Sequence, residues 1–229
     1  MKVLAIGAHP DDIEIFMMGF LLSCKTRNDD IFLAVATDGA AGNVLGYSDL
    51  GNIRKKETSE ALKFLGVPHF FDFPDGNLFF EKNTCQSIKK FIMSVQPDLI
   101  VTHAPEDYHS DHRAISRIVE SATGFLCPVL YADTLMGVNF LPEYYADITP
   151  YFKKKSEAIL KHKSQNPERF LKATKILNRF RSAQCNTADN NYAEAYRWEK
   201  KFPFSEIKSL LPNSPSINQF YNSKESSLI

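Results

Sequence analysis

Two short clusters of residues in this chain carry side chains suited to metal-assisted chemistry. The first spans residues 9–12 (HPDD), and the second spans residues 107–112 (DYHSDH). Imidazole nitrogens and carboxylate oxygens are common zinc ligands, and a site with three of them leaves a coordination position for water. A metal in such a site acts as a Lewis acid and activates water, while a neighbouring unliganded carboxylate can serve as general base. Together the clusters suggest a catalytic zinc site.

Each cluster on its own also has a purely structural interpretation. Asp11 or Asp12 can cap a following helix, which would leave His9 on the surface. The spacing of His109 and His112 places both near one face of a helix, but a solvated helix N-terminus is the commoner reason for that pattern. The metal-site hypothesis therefore requires the two clusters to lie together in the fold.

The segments around the clusters indicate how they are brought together. Short apolar runs predict strands at residues 3–8, 31–36, 69–73, 99–102 and 129–132. Apolar residues at helical spacing predict helices at residues 13–24, 54–65, 85–95 and 110–119. Strands that alternate with helices form a parallel sheet, and right-handed crossovers put the carboxyl ends of its strands along one edge. Both clusters follow predicted strands, so we expect them at this edge, where open α/β sheets bind ligands.

We predict an α/β fold with a Rossmann-like, mostly parallel sheet flanked by helices and a helical C-terminal extension. Residues 1–212 are predicted to form a single domain, with the core at about residues 1–150 and the extension at about 151–212. The pattern becomes helical and polar from Lys153 onward, and the lysine run 153–155 is interpreted as a solvated helix face. Residues 213–229 are rich in serine and asparagine, and we predict that they form a flexible tail.

The composition limits the class of protein and of partner. Among 229 residues, 27 are lysine or arginine and 27 are aspartate or glutamate, which argues against broad electrostatic capture of nucleic acid. Hydrophobic residues make up 44% of the chain, as in a globular protein, and the apolar runs fall short of the roughly 18 residues that a membrane helix needs. The cysteines are scattered, which indicates buried thiols in a reducing compartment. We predict a cytoplasmic protein that binds no nucleic acid and does not insert into membranes.

The two clusters resemble the signature of a known enzyme family. Residues 8–14 (AHPDDIE), followed much later by residues 109–112 (HSDH), are similar to motifs of the LmbE/PIG-L family of zinc-dependent N-acetylglucosaminyl deacetylases. Shorter segments add to this resemblance at residues 37–39 (TDG), 54–57 (RKKE), 75–78 (DGNL), 162–165 (HKSQ) and 192–195 (YAEA). The resemblance covers about residues 2–196, and the pairing of the two main motifs is more specific than either alone.

The resemblance implies a ligand set and a general base. It implies that His9, Asp12 and His112 bind the zinc ion. Asp11 is adjacent to a ligand but is not itself bound, and it is implied to take a proton from the attacking water. The same nitrogen and oxygen donors also suit another divalent first-row metal such as Fe²⁺.

The resemblance also implies supporting roles for three further residues. His109 is implied to act as a general acid or as an electrostatic stabiliser of the tetrahedral intermediate, and Asp111 to orient a histidine. Arg54 is a candidate for binding a substrate hydroxyl or phosphate, with an ordinary helix-surface charge as the alternative. His103 ends a predicted strand and is interpreted as a strand-end residue rather than as a ligand.

These assignments predict a hydrolase that acts on linear amides. The expected reaction is zinc-dependent removal of an N-acetyl group from an N-acetylated amino sugar or its conjugate, which is a small-molecule substrate. One alternative is a zinc amidohydrolase that acts on a non-sugar N-acyl amine. Another is a non-catalytic metal-binding or nucleotide-binding module, although the turn after the first strand does not match the G-x-G-x-x-G pattern. The sequence is compatible with a homo-oligomer and leaves the oligomeric state open.

Overall fold

A computed structural model describes residues 1–43 and 45–221 of the chain and places seven strands in one sheet. The strands are β1 (Lys2–Gly7), β2 (Asp30–Thr37), β3 (His69–Phe73), β4 (Leu99–His103), β5 (Val129–Ala132), β6 (Tyr144–Asp147) and β7 (Ala193–Trp198). The helices are α1 (Asp12–Phe16), α2 (Met18–Thr26), α3 (Leu50–Leu62), α4 (Lys82–Val95), α5 (Ser110–Thr123), α6 (Phe152–Ile159) and α7 (Pro167–Gln184). Short 3₁₀ turns follow several of these elements, including Leu135–Gly137 and Lys163–Gln165.

The first five strands form the parallel part of the sheet, as predicted. The spatial order is β3-β2-β1-β4-β5-β7-β6, so β1 lies between β2 and β4 and pairs in parallel with both. The direction of winding reverses at β1, because β2 and β3 lie on one side of it and β4 and β5 on the other. Ligand sites of open α/β sheets lie outside the carboxyl ends of the strands at such a reversal. The two clusters follow β1 and β4, so they flank this reversal.

The C-terminal part of the chain completes the same sheet. Strand β7 pairs antiparallel with both β5 and β6, and helices α6 and α7 lie between β6 and β7 in the chain. The predicted α/β class with a mostly parallel, helix-flanked sheet is confirmed. The extension contributes a strand in addition to its helices. Residues of β7 are buried on both faces of the sheet, so its sequence lacks the alternation that marks a half-buried strand.

The hydrophobic core lies on both faces of the sheet. Alternate residues of β1 point to opposite sides, with Val3 and Ala5 in one cluster and Leu4 and Ile6 in the other. The first cluster is filled mainly from α1, α2, α3 and α6, and the second mainly from α4 and α5. All four of these β1 side chains are fully buried. This burial explains why β1 reads as a continuous apolar run.

One predicted helix is divided in two by a buried carboxylate. The predicted helix at residues 13–24 breaks at Met17, whose φ of −132° separates α1 from α2. Glu194 of β7 accepts hydrogen bonds from the backbone N–H groups of Gly19 and Phe20 at 2.9 and 2.8 Å. Lys155 of α6 is fully buried and donates to the same carboxylate at 2.6 Å. The interpretation of the whole lysine run as a solvated face is therefore wrong for Lys155, because Glu194 pairs with it in the core.

The predicted domain boundaries and the predicted tail stay predictions. Within the described part of the predicted tail, the carbonyl of Asn213 accepts a hydrogen bond from the N–H of Asp147 at 3.0 Å. The N–H of Asn218 donates to the carbonyl of Asn186 at 2.8 Å. Residues 222–229 of the predicted tail lie outside the described residues. No helix within residues 1–43 and 45–221 combines the length and the apolar character of a membrane span.

Candidate metal centre

The loop after β1 folds tightly around its own polar side chains. The N–H of His9 donates to Asp12 Oδ2 at 2.6 Å, and the N–H of Asp12 donates to the carbonyl of His9 at 3.2 Å. The carbonyl of Ala8 accepts from both the N–H and the hydroxyl of Thr37, at 2.8 and 2.9 Å. These contacts hold the loop against β2, so that the His9 and Asp12 side chains approach one another at the strand end.

Asp11 lies in this loop with an unusual backbone conformation. Its φ is 133° and its ψ is −19°, a region that residues other than glycine rarely occupy. Its carboxylate makes no capping hydrogen bond to α1, and Oδ1 instead lies 3.1 Å from Nη2 of Arg54. The helix-capping alternative is therefore wrong for Asp11. Strained backbone of this kind concentrates at functional sites, where the surrounding structure holds it in place.

Side-chain atoms of three predicted ligands converge at the edge of the sheet. His9 Nδ1 lies 3.2 Å from His112 Nε2 and 3.3 Å from Asp12 Oδ2. His112 Nε2 lies 3.2 Å from Asp12 Oδ1. Ligand atoms at about 2.0–2.1 Å from a tetrahedral zinc ion lie about 3.3 Å from one another. Each pair of these groups is therefore spaced as ligands of one metal ion are, with Asp12 approaching the two histidines through different carboxylate oxygens, and their assignment as ligands stays a prediction.

The other nitrogen of each converging imidazole contacts a carboxylate. His9 Nε2 lies 3.2 Å from Asp111 Oδ2 and 3.2 Å from Asp75 Oδ1. His112 Nδ1 lies 3.2 Å from Asp107 Oδ2. Outer carboxylates of this kind fix the tautomer and orientation of metal-binding histidines and raise their basicity. These contacts are of the kind that the orienting role predicted for Asp111 requires, and Asp75 and Asp107 lie at the same distance from the imidazoles.

Two more histidines surround the three converging groups. His109, at the start of α5, has ligand atoms close enough to those of His9 and His112 for all three to hold a cation. Its Nδ1 accepts the N–H of Asp111 at 3.2 Å, so it also caps α5. His103 stacks on His112 with ring centroids 3.7 Å apart, and its Nε2 lies 3.0 Å from Asp12 Oδ2. His103 is therefore part of the cluster, although we interpreted it as an ordinary strand-end residue.

The electrostatics of the cluster favour positive charge between Asp12 and the imidazoles. Burial disfavours the charged form of His9, but Asp12 and Asp111 outweigh it and hold the pKa of His9 well above its ordinary value. Burial likewise opposes Asp12, which raises the pKa of His112 to about 9. The pKa of Asp12 lies well below its usual range, because the histidines overcome its burial. A divalent cation bound between these groups would supply the positive charge that this arrangement stabilises.

The two candidate acid–base groups have pKa shifts in opposite directions. Burial raises the pKa of Asp11, and the guanidinium of Arg54 only partly opposes this shift. Burial lowers the pKa of His109, and the positive charges of His9 and His112 lower it further. A carboxylate with a raised pKa is a stronger base, and a lowered pKa keeps the His109 ring neutral, with one N–H group left to donate a hydrogen bond. Both shifts suit the roles predicted for these residues.

A cavity of about 380 Å³ opens beside the cluster. Its volume lies within the range of about 300–1,000 Å³ that small-molecule sites occupy. One part of its lining is polar and includes Asp11, Arg54, Asp75 and Gln165. The other part is apolar or aromatic and consists of Ile15, Phe16, Tyr108, Leu135 and Phe170. The cavity can therefore receive a molecule with both polar and apolar surfaces next to the converging ligands.

Arg54 is part of the buried framework of the cavity. It is only 4% exposed, so the surface-charge alternative is wrong. Its Nη1 donates to the carbonyl of Gly39 at 2.9 Å, and its Nη2 donates to the carbonyl of Pro10 at 2.7 Å. Arg54 therefore joins the loop after β1 to the turn after β2. Its predicted contact with substrate stays a prediction.

Sequence reasoning gave no role to Asp75 and Asp107. A signal for both was present, since Asp75 follows β3 and Asp107 follows β4 at the same edge of the sheet. The sequence does not show which carboxylate turns toward which imidazole, because loop geometry decides that. All of the predicted site residues, which are His9, Asp11, Asp12, Arg54, His109, Asp111 and His112, lie in this one region.

Comparison with known proteins identifies the family of the chain. A model of the PIG-L family, described as GlcNAc-PI de-N-acetylase, matches residues 4–123, which include both clusters. The chain belongs to this family. The predicted enzyme class, an N-deacetylase among the hydrolases, is confirmed by this membership and by the relatives that follow.

Curated relatives extend the similarity beyond the matched segment. The chain is 28% identical over 189 residues to a diacetylchitobiose deacetylase of Thermococcus kodakarensis, a match that covers 73% of this chain and 71% of the relative. It is 31% identical over 172 residues to the uncharacterised deacetylase YaiS of Escherichia coli K12, with 71% of this chain and 90% of the relative covered.

Solved structures share the fold over most of the chain. The N,N′-diacetylchitobiose deacetylase of Pyrococcus horikoshii superposes with a TM-score of 0.75 at 23% identity and covers 89% of this chain and 87% of its own. GalB of Pseudomonas putida, a 4-carboxy-2-hydroxymuconate hydratase, superposes with a TM-score of 0.76 at 18% identity and covers 90% and 99%. At such low identity these matches show the fold alone. The hydratase also shows that this fold is compatible with chemistry other than deacetylation.

Proposed function

We propose that the chain hydrolyses the N-acetyl amide of an N-acetylated amino sugar or its conjugate, with zinc held by His9, Asp12 and His112. The observation that carries this proposal is the convergence of the three side chains at 3.2–3.3 Å beside the buried Asp11. Zinc bound there would polarise the amide carbonyl and lower the pKa of a water molecule. Family membership and the diacetylchitobiose deacetylases among the relatives support an amino sugar as substrate.

Asp11 is the proposed general base. Arg54 holds its Oδ1 at 3.1 Å, and the strained loop keeps the carboxylate beside the ligand Asp12 without binding the helix end. Burial raises the pKa of Asp11, which strengthens it as a base while the nearby guanidinium keeps the charged form populated. Asp11 then removes a proton from the water that attacks the amide carbon.

His109 is the proposed hydrogen-bond donor to the developing negative charge. Its Nδ1 accepts the N–H of Asp111, so a neutral ring carries its proton on Nε2. The ring lines the cavity, where an Nε2–H group can donate to the carbonyl oxygen as it gains charge. The proton that Asp11 took from the water passes to the leaving nitrogen as the C–N bond breaks, and the products are the free amine and acetate.

Acetate release provides the test of this function. We expect the zinc-loaded protein to release acetate from N,N′-diacetylchitobiose. Asp11→Asn is expected to keep its zinc while turnover falls by about 10²–10⁴-fold, the contribution of a positioned base. Asp189→Asn, in an exposed loop, is the matched control and should retain full activity. Zinc content is measured by atomic absorption on the same samples.

Other outcomes of this test separate the competing functions. Release of acetate from simple N-acyl amines but not from the sugar would favour a non-sugar amidohydrolase. Zinc binding with no acetate release from either compound would favour a non-catalytic metal-binding module. Full turnover by Asp11→Asn would contradict its assignment as the base. A cytoplasmic location and a homo-oligomeric state remain predictions.

A further inference from the structure

A pair of hydrogen bonds joins helix α3 to the turn at Lys163–Gln165. Glu57 Oε1 accepts the backbone N–H of Ser164 at 2.9 Å, and Glu57 Oε2 accepts its hydroxyl at 2.6 Å. Both oxygens of one carboxylate are therefore committed to one residue that lies 107 positions away. Ser164 is buried and Glu57 is half-buried, so water competes only partly for these bonds.

The same side of α3 holds a second part of the cavity wall. Arg54 precedes Glu57 by three positions, which places the two side chains on neighbouring parts of one helix face. Arg54 binds the carbonyls of Pro10 and Gly39, whereas Glu57 binds the turn that contains Ser164. One helix face thus fixes loops that come from distant parts of the chain.

Gln165 links the hydrogen-bonded pair of Glu57 and Ser164 to the cavity. It directly follows Ser164 and lines the cavity, and its Nε2 donates to the Ser164 carbonyl at 2.9 Å. A Cβ placed on Gly42 would lie 3.3 Å from Gln165 Oε1 and 3.7 Å from Arg54 Nη1. The carboxamide and the guanidinium therefore both lie next to Gly42, and both line the cavity.

The segment that carries Gln165 is anchored a second time. His162 Nε2 lies 2.8 Å from Glu14 Oε1, and both side chains are buried. Glu14 belongs to α1, directly after the loop with the proposed ligands. Anchors at His162 and Ser164, just before Gln165 in the chain, restrict the position of Gln165, as expected for a side chain that must meet a ligand in one orientation.

We propose that Glu57 is a positioning residue that acts through Gln165, and that the Gln165 carboxamide hydrogen-bonds a hydroxyl group on the sugar part of the substrate. A neutral carboxamide donates and accepts, as a hydroxyl does, so the two are complementary. Among the described residues, those that line the cavity include Gln165 but not Glu57, so Glu57 can act on substrate only through the turn. This inference rests on the proposed function and extends it to recognition of a hydroxylated leaving amine.

A double-mutant cycle tests the connection. KM and kcat are measured for N,N′-diacetylchitobiose and for N-cyclohexylacetamide, an acetylated ring without hydroxyls. Gln165→Ala is expected to raise KM for the sugar about tenfold, the effect of losing one hydrogen bond, with little change in kcat. Glu57→Ala should do the same, and the double variant should be no worse than Gln165→Ala alone. Kinetics on N-cyclohexylacetamide and zinc content should not change.

Two control variants separate positioning from simple loss of stability. Glu57→Gln retains an oxygen that can accept one of the two hydrogen bonds. The increase in KM should therefore be smaller for Glu57→Gln than for Glu57→Ala. Glu60→Ala removes an exposed glutamate on the same helix and should leave both substrates unaffected. Additive effects of Glu57→Ala and Gln165→Ala, or equal losses on the two compounds, would overturn the proposal. So would a fall in melting temperature without a change in KM.

The failure of the proposed function has a different signature. It fails if the wild-type protein releases no acetate from either compound. Calorimetric titration with N,N′-diacetylchitobiose then tests Gln165 and Glu57 independently of hydrolysis. Weaker binding by Gln165→Ala and Glu57→Ala, again without additivity, supports their role in recognition. Equal binding by the variants and the wild type, or no binding at all, overturns it.

Discussion

The two sides of the cavity are built in different ways. On the metal side, His9 and Asp12 are three residues apart just after β1, and His112 lies in the first turn of α5, which follows the neighbouring strand β4. On a second, polar side, Gln165 directly follows Ser164, which binds a carboxylate of α3 that is more than a hundred positions away. The proposed metal side thus lies where two adjacent strands end, whereas the proposed recognition side depends on contacts between remote segments.

This difference separates chemistry from recognition. Strand ends in a packed sheet are rigid, so they can hold ligands at the spacing a metal demands. Turns held by a few hydrogen bonds can change their residues with less effect on the sheet, which suits the part of the site that selects a substrate. Changes on the metal side should therefore abolish the reaction, and changes on the recognition side should alter which molecule reacts.

The largest effect is expected from the metal side. His112→Ala should lose zinc and all detectable acetate release, because the two remaining ligands leave the site incomplete. Asp107→Asn keeps the ligand but weakens the contact at 3.2 Å that orients it, so metal affinity should fall about 10–100-fold. Zinc titration with a competing chelator measures both. Tight zinc binding by His112→Ala would show that His109 or His103 serves as the ligand instead.

An intermediate effect, on stability rather than chemistry, is expected at Glu194. Glu194→Ala leaves Lys155 buried without its partner and removes the acceptor for two N–H groups of α2. The free energy of unfolding should fall by about 3–5 kcal/mol, as when one member of a buried ion pair is removed. Urea unfolding measures this change.

The exposed pair of Lys200 and Glu143 provides the matched control for Glu194. Glu143→Ala should cost about 1 kcal/mol or less, since exposed ion pairs contribute little. Zinc content per folded molecule should be the same in both variants. A similar loss of stability in Glu143→Ala and Glu194→Ala would contradict the assignment of Glu194 as a buried anchor.

The smallest effect concerns the pH dependence of the anchor at His162. Burial opposes its charged form, but Glu14 outweighs burial and raises the pKa of His162 in the folded state. The interaction of protonated His162 with Glu14 stabilises the fold fully below the histidine pKa of the unfolded state, about 6.5. This stabilisation is lost as the pH rises through the higher pKa of the folded state. Between about pH 6 and pH 8.5, the melting temperature of the metal-free wild-type protein should therefore fall more than that of metal-free His162→Gln. Equal changes in the melting temperatures of the two proteins over this pH range would contradict the prediction.

Much of the metal side was predictable from the sequence because its determinants are local. The residues 9–12 and 107–112 each follow an apolar strand, and parallel strands direct their carboxyl ends to one edge. The adjacency of β1 and β4 is not contained in that rule, and it is what brings His112 within 3.2 Å of His9. The motif resemblance supplied the assignment of roles that the spacing alone left open.

The remaining features depend on tertiary contacts that no local pattern encodes. Lys155 lies in a run of lysines that resembles a solvated face, and only the position of Glu194 explains its burial. The break at Met17 has the same cause, because the Glu194 carboxylate binds the first turn of α2. Asp75 and Asp107 needed the loop geometry before their imidazole partners could be identified.

The backbone at Asp11 sets stability and activity against each other. A φ of 133° costs less free energy in glycine than in aspartate. Asp11→Gly would therefore stabilise the fold, but it would also remove the carboxylate. Selection for robustness alone would therefore remove the proposed base. Engineering for a higher melting temperature should therefore leave position 11 unchanged. A stabilising substitution there would remove the proposed base and with it the activity.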